Sequence, residues 1–369
     1  MRDDDAMDRA LALAVAARRQ TPPWPAVGCV LVRDGLVVGE GATGPFRSGS
    51  HAEVVALRDA GDRARGATAY VTLEPCDHHG NTPPCTNGLI EAGVTRVVAA
   101  IGDPDARVAG KGFARLRDAG IDVVTGVGTD SVAREMAPYL HHRRTGRPLV
   151  VAKVAQSLDG RVAAADGTSR WITGEAARGD AHELRADSQA IIIGAGTALA
   201  DCPALTVRDV MTPPARPPLR VLLDGRGRVP AGGPLFDMTL APTLVVTTDA
   251  APAEVVDAWR SAGAKVETVA RAASGRGVDL DGTFQLLGAE GVLQALVEGG
   301  GEVLGSVIEG GHAQRVVAYV APVVLGTRGR PAFGFETVTT LVDAPRFALT
   351  DVRRVGGDVR FEFEVGSDC

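Results

Sequence analysis

Aromatic residues are scarce in this chain, and the signals of membrane and secreted proteins are missing. Phe, Trp and Tyr make up 4% of the 369 residues. No apolar run approaches the roughly 18 residues that a membrane-spanning helix needs. The first ten residues, MRDDDAMDRA, are acidic and contain no apolar signal-peptide region. Five cysteines, an odd number in a long chain, predict free thiols in a reducing cytoplasm and not a disulfide framework.

A basic face and a Rossmann fingerprint are missing as well. The formal net charge is −6, whereas a dedicated nucleic-acid binder normally presents a basic surface. In the second half, no G-x-G-x-x-G motif follows a predicted strand and opens a helix. We therefore expect a cytoplasmic protein that acts on a small molecule, without nucleic acid or membrane partners. Its length suits two domains.

Predicted strands and helices alternate along the chain, which indicates largely parallel α/β sheets. The first half opens with a hairpin, 27–32 and 36–39, around Asp34-Gly35. We predict one helix over 131–142, followed by a linker over 143–148. The domains are accordingly predicted as 1–146 and 147–369.

One stretch, from His51 to Cys85, carries the side chains of a catalytic zinc site. One imidazole and two thiols, those of His51, Cys76 and Cys85, leave a coordination position open for water. Glu53, two residues after His51 on a predicted helix, is placed to act as a proton shuttle. Cys76 follows Glu74-Pro75 directly after the apolar run 69–73, so we predict that it lies where a strand ends and a second helix begins. The helix N-terminus there would favour its thiolate form.

The residue types match the H-x-E and P-C-x-x-C signature of zinc deaminases, although eight residues separate the two cysteines here. The alternatives are a structural zinc site, with His78 or His79 as a fourth ligand, and two unrelated buried cysteines. A structural site has no use for the acid at position 53, so we favour catalysis.

Two glycine-bearing strand ends in the second half predict a cofactor site. Residues 194–197 and 299–301 each follow an apolar run, and glycines let a backbone approach a ligand closely. The first amides of a helix bind anions, so both ends in one sheet suggest a phosphate-bearing cofactor; plain turns are the alternative. Lys153 lies inside a strand pattern and is predicted to face a reacting sugar, with an edge-strand lysine as the alternative.

Several motifs give the chain a family resemblance. CDHHGNTPPC and GCVLVRDGLVVGEG resemble the deaminase half of the bifunctional riboflavin-biosynthesis deaminase-reductases. KVAQSLDGR, SRWITGEAARGDAHELRA, GAGTALADCPALTVR and VEGGGEVLG resemble the reductase half. The resemblance implies a cytidine-deaminase-like three-layer α/β/α domain and a dihydrofolate-reductase-like α/β domain. It also implies Zn²⁺ and NADPH as cofactors, deamination of a diaminopyrimidinone ribosyl phosphate, and reduction of its ribosyl group to ribityl.

The resemblance further implies residue roles. Zinc would be held by His51, Cys76 and Cys85, with Glu53 as shuttle. The cofactor would contact Ala155, Trp171, Thr197, Asp201, Gly225, Gly300, Gly301, Glu302, Val303, Leu304, Gly305 and Ser306. The substrate would contact Ser169, Arg185, Leu205, Arg208 and Glu298. Arginine suits a sugar phosphate because its donors are bidentate and permanently charged; the alternatives are solvated arginines and, for Trp171, a core aromatic.

The chain departs from the family pattern at three places. Trp24-Pro25 stands where the family has Asn-Pro, and that Asn is expected to bind the pyrimidine. Asp103-Pro104-Asp105-Ala106 replaces Asp-Pro-Asn-Pro, and Asp201-Cys202 replaces a double Asp. Two rival functions remain open at this point: a nucleic-acid or free nucleobase deaminase with an accessory nucleotide-binding domain, and a non-catalytic binding module. A homo-oligomer is also possible.

Overall fold

The computed structural model describes residues 1–46, 49–78, 83–105, 108–334 and 338–365. The chain divides into two compact units, Met1–Gly146 and Arg147–Cys369, each built around its own sheet. Over the ranges described, no helix combines the length and the apolar character needed to cross a bilayer.

The first unit contains a five-stranded sheet. Its strands are β1 (Gly28–Arg33), β2 (Leu36–Ala42), β3 (Thr68–Leu73), β4 (Arg96–Ile101) and β5 (Asp122–Thr125). In the order β2-β1-β3-β4-β5, β1 pairs antiparallel with β2 and β3, and the last three strands are parallel. The predicted hairpin is confirmed: Asp34 and Gly35 have φ values of 52° and 75°, as a two-residue hairpin turn requires.

Helices cover both faces of this sheet. They are α1 (Asp3–Ala17), α2 (Ala52–Ala60), α3 (Cys85–Glu91), α4 (Lys111–Asp118), α5 (Thr129–Glu135) and α6 (Ala137–Thr145). Gly28 of β1 lies against the backbone of α1, and Gly41 of β2 lies against α2. Gly41 is paired with Cys29, the residue after Gly28, so the two glycines point to opposite faces. The predicted three-layer α/β/α arrangement is confirmed.

The prediction of one helix over 131–142 is wrong. α5 ends at Glu135, and α6 begins at Ala137 with Pro138 in its first turn. Proline has no amide hydrogen to continue a preceding helix but is well tolerated at a helix start. The predicted linker is also partly helical, because Arg143 and Arg144 belong to α6.

The strands of the second unit are β6 (Leu149–Ser157), β7 (Arg161–Ala163), β8 (Ala190–Gly194), β9 (Leu219–Leu223), β10 (Thr243–Thr247), β11 (Lys265–Thr268), β12 (Gln294–Val297), β13 (Arg315–Ala321), β14 (Arg330–Pro331), β15 (Phe347–Val355) and β16 (Asp358–Val365). They form a nine-stranded sheet in the order β11-β10-β9-β8-β12-β6-β13-β16-β15 and a small β7-β14 ladder. The sheet is parallel from β11 to β13, and β16 and β15 continue it antiparallel.

The helices of this unit are α7 (Glu175–Ala186), α8 (Ala195–Asp201), α9 (Ala253–Ser261), α10 (Leu280–Ala289) and α11 (Gly301–Glu309). Sequence analysis did not predict α10, although Asp279 caps it by accepting hydrogen bonds from the amides of Asp281 and Gly282. The strand that carries Lys153, β6, lies between β12 and β13. The edge-strand explanation for Lys153 is therefore wrong.

Candidate active sites

Three ligand-type side chains of the first unit converge beyond the carboxyl end of β3. His51 immediately precedes α2, Cys76 lies three residues after β3, and Cys85 is the first residue of α3. The His51 Nδ1 atom is 3.1 Å from Cys85 Sγ and 3.5 Å from Cys76 Sγ. The ligand atoms of all three lie within 4.8 Å of one another. The fold thus brings together the three residues that the sequence predicted as zinc ligands.

These separations suit a single tetrahedral ion. Zinc bonded to an imidazole nitrogen and two thiolates would hold its ligand atoms about 3.5–3.8 Å apart. Within the described residues, no fourth histidine, cysteine or carboxylate joins the group; His78 is not part of it, and His79 lies outside those residues. Three protein ligands leave a position for water, which is typical of catalytic zinc.

The cluster favours a thiolate. Hydrogen bonds from the Cys85 thiol and from His51 lower the pKa of the Cys76 thiol to about 4. Cys85 is the donor in that pair and is deeply buried, so its own pKa is raised. The hydrogen bond to Cys76 also raises the pKa of His51. A divalent cation among these atoms would displace the shared protons, which is how metal binding couples to thiol ionisation.

Glu53 lies in the first turn of α2 and is 4% exposed. Burial, followed by the charge on Cys76, raises the pKa of its carboxyl to about 6. A carboxyl group with a pKa near neutrality can both accept and donate a proton during turnover. Glu53 is not one of the clustered ligand atoms.

Cys76 was predicted at the start of a helix, and this is wrong: it lies in the loop between β3 and α3. The helix begins instead at Cys85, whose backbone amide donates to Cys76 Sγ at 3.5 Å. A helix N-terminus therefore does act on the Cys76 thiol, but it is the N-terminus of α3 at Cys85, and it acts through this hydrogen bond.

The helix that carries Glu53 rests directly on β2. A Cβ atom at Gly41 would lie 2.3 Å from the carbonyl oxygen of Ala52, and one at Gly39 would lie 2.4 Å from that of Ala56. Such distances are far below van der Waals contact. The two glycines thus set how closely α2, together with His51 and Glu53, approaches the sheet.

In the second unit, three predicted site residues form one buried ionic cluster. Glu298, just after β12, accepts two hydrogen bonds from Arg185 of α7, at 2.5 Å from Nε and 2.9 Å from Nη2. The Lys153 Nζ atom is 3.5 Å from Glu298 Oε2. The Arg185 and Lys153 side chains are each 15% exposed, so the solvated-arginine explanation is wrong for Arg185.

The cluster keeps Glu298 ionised. Burial alone would raise the pKa of this carboxyl, but the charges of Arg185 and Lys153 outweigh burial and lower it to about 2. Glu298 is therefore an anion at any physiological pH, and it orients the ammonium group of Lys153.

The two glycine-bearing strand ends lie side by side, because β8 and β12 are adjacent and parallel. Gly194 precedes α8 and Gly300 precedes α11. The Gly300 amide donates to Thr197 Oγ1 at 3.0 Å, which joins the two ends. A Cβ at Gly194 would lie 2.6 Å from the Val303 side chain, so glycine is needed for this approach. The nine-residue helix α11 offers first-turn amides that suit a phosphate group of NADPH.

Trp171 lies on the surface of this unit with 68% of its area exposed, so the core-aromatic explanation is wrong. The Arg178 guanidinium is 4.4 Å from the centroid of its ring, and that of Arg170 is 5.8 Å away. Arg170 also donates to the Asp201 carbonyl oxygen at 2.8 Å. An exposed aromatic ring with two cations nearby suits contact with a flat, anionic cofactor.

The loop after α8 connects the two predicted arginines. Arg185 Nη1 donates to the carbonyl oxygen of Thr206 at 3.0 Å, and Arg208 Nη1 donates to the hydroxyl oxygen of Thr206 at 3.0 Å. Arg208 is exposed, whereas Leu205 is buried with a φ of 51°. Arg185 and Arg208 thus both bind the same residue, Thr206.

Other predicted contacts are less accessible. Leu304 is fully buried, and a Cβ at Gly305 would lie 2.6 Å from the Gly334 carbonyl oxygen. Gly225 is buried, and its carbonyl accepts a hydrogen bond from Thr248. The rest are half-buried or exposed: Ala155, Ser169, Gly301, Glu302, Val303 and Ser306.

Both halves of the chain match known protein families. Residues 1–101 match the cytidine and deoxycytidylate deaminase zinc-binding region, and residues 148–361 match the RibD C-terminal domain. The riboflavin biosynthesis protein RibD of Escherichia coli strain K12 is 42% identical over 370 residues, which cover 97% of this chain and 98% of that protein. The chain belongs to the RibD family.

Solved RibD structures agree with this RibD-family chain over almost its whole length. Form 1 of Acinetobacter baumannii RibD is 38% identical with a TM-score of 0.89. A diaminohydroxyphosphoribosylaminopyrimidine deaminase/5-amino-6-(5-phosphoribosylamino)uracil reductase of Thermotoga maritima is 31% identical with a TM-score of 0.85. Both comparisons cover 99% of each chain. The predicted family and the two predicted folds are confirmed.

As a member of the RibD family, the protein is a riboflavin-biosynthesis enzyme with a zinc-dependent deaminase and an NADPH-dependent reductase activity. It acts on a small molecule. The predictions of function, enzyme class and cofactors are confirmed, and the reading as a non-catalytic binding module is wrong.

Sequence reasoning missed two side chains beside the RibD reductase residues. His182 accepts the backbone amide of Arg208 on Nδ1 at 3.1 Å, and Arg178 stacks on Trp171. Both lie on α7, as does Arg185. Helical spacing was the available signal, because positions 178, 182 and 185 are four and three residues apart and share one face of a helix.

Proposed function

We propose that the first unit, residues 1–146, removes an amino group from 2,5-diamino-6-(5-phosphoribosylamino)pyrimidin-4-one, and that the second, 147–369, reduces the ribosyl group of the product to ribityl. The Thermotoga maritima relative is named for these two activities. The observation that carries the deaminase half is the His51, Cys76 and Cys85 cluster with the buried Glu53 beside it. The reductase half rests on the Lys153, Arg185 and Glu298 cluster.

In the deaminase, His51, Cys76 and Cys85 hold zinc, which when bound supplies water activated for attack at neutral pH. Glu53 takes a proton as water adds to the ring carbon and passes it to the ring nitrogen. It then takes the proton of the new hydroxyl group and gives it to the departing amine. Water and substrate thus give ammonia and a ring carbonyl. The pKa of Glu53, near 6, suits both directions of transfer. Trp24, which is 44% exposed, stacks on the pyrimidine in place of the family's Asn.

In the reductase, NADPH supplies hydride chemistry that belongs to the cofactor. The sugar carbon that is reduced loses its bond to the ring oxygen, which then needs a proton, and Lys153 holds that proton. Glu298 orients Lys153 and accepts a hydrogen bond from a sugar hydroxyl group. Arg185 and Arg208 bind the phosphate, and Ser169 and Leu205 complete the substrate contacts.

The proposed NADPH contacts are strongest at the start of α11. The cap and first turn of this helix consist of Gly300, Gly301, Glu302 and Val303. The amide of Gly300 donates a hydrogen bond to the hydroxyl oxygen of Thr197. Trp171 and Asp201 share a contact with Arg170. The remaining proposed contacts are Ala155, Gly225, Leu304, Gly305 and Ser306. Leu304 and Gly305 would act only through their backbones, because their side-chain positions face the core.

We also infer a cytoplasmic location and no nucleic-acid partner. The net charge of −6 and the thiols that are free among the described residues support this. Self-association is supported by β15, an edge strand that exposes Leu349 and Val352. Sedimentation equilibrium of the purified chain measures the oligomeric state.

The test supplies the ribosylamino pyrimidine phosphate and follows ammonia release and NADPH oxidation separately. Wild type should produce both signals in that order. Glu53→Gln should abolish ammonia release and keep both zinc and the oxidation of NADPH on the deaminated intermediate. Turnover of a free nucleobase or of single-stranded DNA, with no activity on the phosphate, would replace the proposal by the rival deaminase. Unchanged ammonia release in the variant would remove the role of Glu53.

A further inference from the structure

Glu74 is a second buried carboxylate of the first unit, separated from Cys76 only by Pro75. It is 4% exposed. We propose that Glu74 is a positioning residue, which fixes the backbone that carries Cys76 and thereby sets how firmly the site retains zinc. The inference deepens the proposed deaminase function and rests on it.

The carboxylate of Glu74 accepts hydrogen bonds from four backbone amides, which lie just after β4 and at the start of α4. Its Oε2 atom accepts from Asp103 at 3.2 Å and Gly110 at 3.0 Å. Its Oε1 atom accepts from Gly112 at 3.0 Å and Phe113 at 3.3 Å. A carboxylate has about four lone-pair sites, so this side chain is saturated. Bonds of an ionised acceptor are among the stronger ones in proteins.

The constraint passes directly to Cys76. Pro75 has a fixed φ, so it transmits the position of Glu74 with little freedom. A Cβ at Gly112 would lie 1.9 Å from the Pro75 carbonyl oxygen, which means that the first turn of α4 lies on that carbonyl. Beyond it, the Cys76 carbonyl accepts the amide of Thr86 at 3.3 Å. The backbone on both sides of the thiol is therefore held.

Two of the four bonds flank the segment that covers the sulfurs. Val108 lies between two of the amide donors, Asp103 and Gly110, and is 3% exposed. It packs with Cys76 and Cys85 in one apolar cluster. An apolar shell around a metal site controls the access of solvent. Glu74 thus holds both a ligand and the side chain that shields it.

The experiment measures the rate at which the zinc-loaded full chain releases zinc to an excess of a chromophoric chelator. Glu74→Gln keeps the size of the side chain but places an amide group opposite two backbone donors. Loss of a group that supports a metal ligand typically lowers metal affinity about 10–100-fold, so we expect zinc release to become faster by a factor of about 10 or more. NADPH oxidation on the deaminated intermediate should be unchanged, which reports an intact second unit.

Asp3→Asn is the matched control. Asp3 is also a carboxylate of the first unit, bound to Tyr70 and Arg96, and its loss should lower the melting temperature without faster zinc release. A folded Glu74→Gln that releases zinc at the wild-type rate would overturn the proposal, as would an equal acceleration in Asp3→Asn. Failure of the wild type to take up zinc would instead refute the deaminase function itself.

A second pair of variants decides the matter if Glu74→Gln does not fold. Glu74→Asp keeps the charge but shortens the side chain by one methylene group, so that it cannot reach all four amides. Val97→Ala, which removes two methyl groups from a fully buried valine of β4 outside the sulfur cluster, is its control. The proposal expects faster zinc release only from Glu74→Asp, and equal release from the two variants would contradict it.

Discussion

Replacing Glu298 by glutamine should destabilise the second unit by an amount that depends on pH. Lys153 and Arg185 lower the pKa of Glu298 from 4.5 to about 2, which corresponds to about 3 kcal/mol of folding free energy. Because the folded-state pKa is the lower one, this stabilisation is complete at pH values well above 4.5. It is lost as the pH falls through about 2.

Glu298→Gln should therefore lower the free energy of unfolding by about 3 kcal/mol at pH 7, and by only about 1 kcal/mol at pH 3. The loss at neutral pH is also what removing one partner of a buried ion pair costs, roughly 3–5 kcal/mol. Glutamine cannot neutralise Arg185 and Lys153, which stay mostly buried.

Guanidinium titrations followed by tryptophan fluorescence measure this loss. Trp259 is fully buried in the second unit, and a Trp24→Phe background removes the tryptophan of the first unit. Glu364→Gln is the control, because its pair with Arg315 is partly exposed and should contribute less than about 1 kcal/mol. A Glu298→Gln variant within about 1 kcal/mol of wild type at pH 7 would refute the reasoning, and so would a difference that does not narrow at pH 3.

Three further outcomes are expected. Cys85→Ser, or treatment of wild type with a zinc chelator, should abolish ammonia release and leave NADPH oxidation on the deaminated intermediate intact; added zinc should restore the treated wild type only. Thr197→Val removes the acceptor of the Gly300 amide, so the KM for NADPH should rise roughly five-fold, for about 1 kcal/mol, with ammonia release as the unaffected control. Trp259→Phe removes the donor to the Val229 carbonyl at 2.8 Å and should cost about 1–3 kcal/mol in guanidinium unfolding; an unchanged midpoint would contradict that.

Local patterns predicted the elements whose ends are marked by strong signals. The hairpin at Asp34-Gly35 follows from its turn residues and the apolar runs on either side, and the structure has it as predicted. α10 was missed because glycine and threonine weaken its local signal, and only the packing of Phe284 and Leu287 in the core reveals its buried face. The break between α5 and α6 depended on Pro138, which the helical pattern around it concealed.

The two sites differed in how far the sequence could predict them. The zinc cluster is encoded within 35 residues, so the residue types and their order identify it. The partners of Glu298 lie on α7, 113 residues away, and on β6, and only the sheet order brings them together. The resemblance named Arg185 and Glu298 as substrate contacts, but nothing in the sequence indicated that they bind each other. The bonds of Glu74 to four amides were likewise invisible, because they arise from a loop and a helix start in a different part of the chain.

The two glycines of β2 that lie against α2, Gly39 and Gly41, restrict how this enzyme can be redesigned. A methyl group at Gly39 or Gly41 would lift the imidazole and the proton-transferring acid together, as one body. The Cys76 sulfur would stay behind, since the backbone before it lies against α4 and not against α2. Such a change would pull the ligand set apart instead of widening the substrate pocket. Engineering of a new base specificity therefore has to leave these two positions alone and begin at the loop around Trp24.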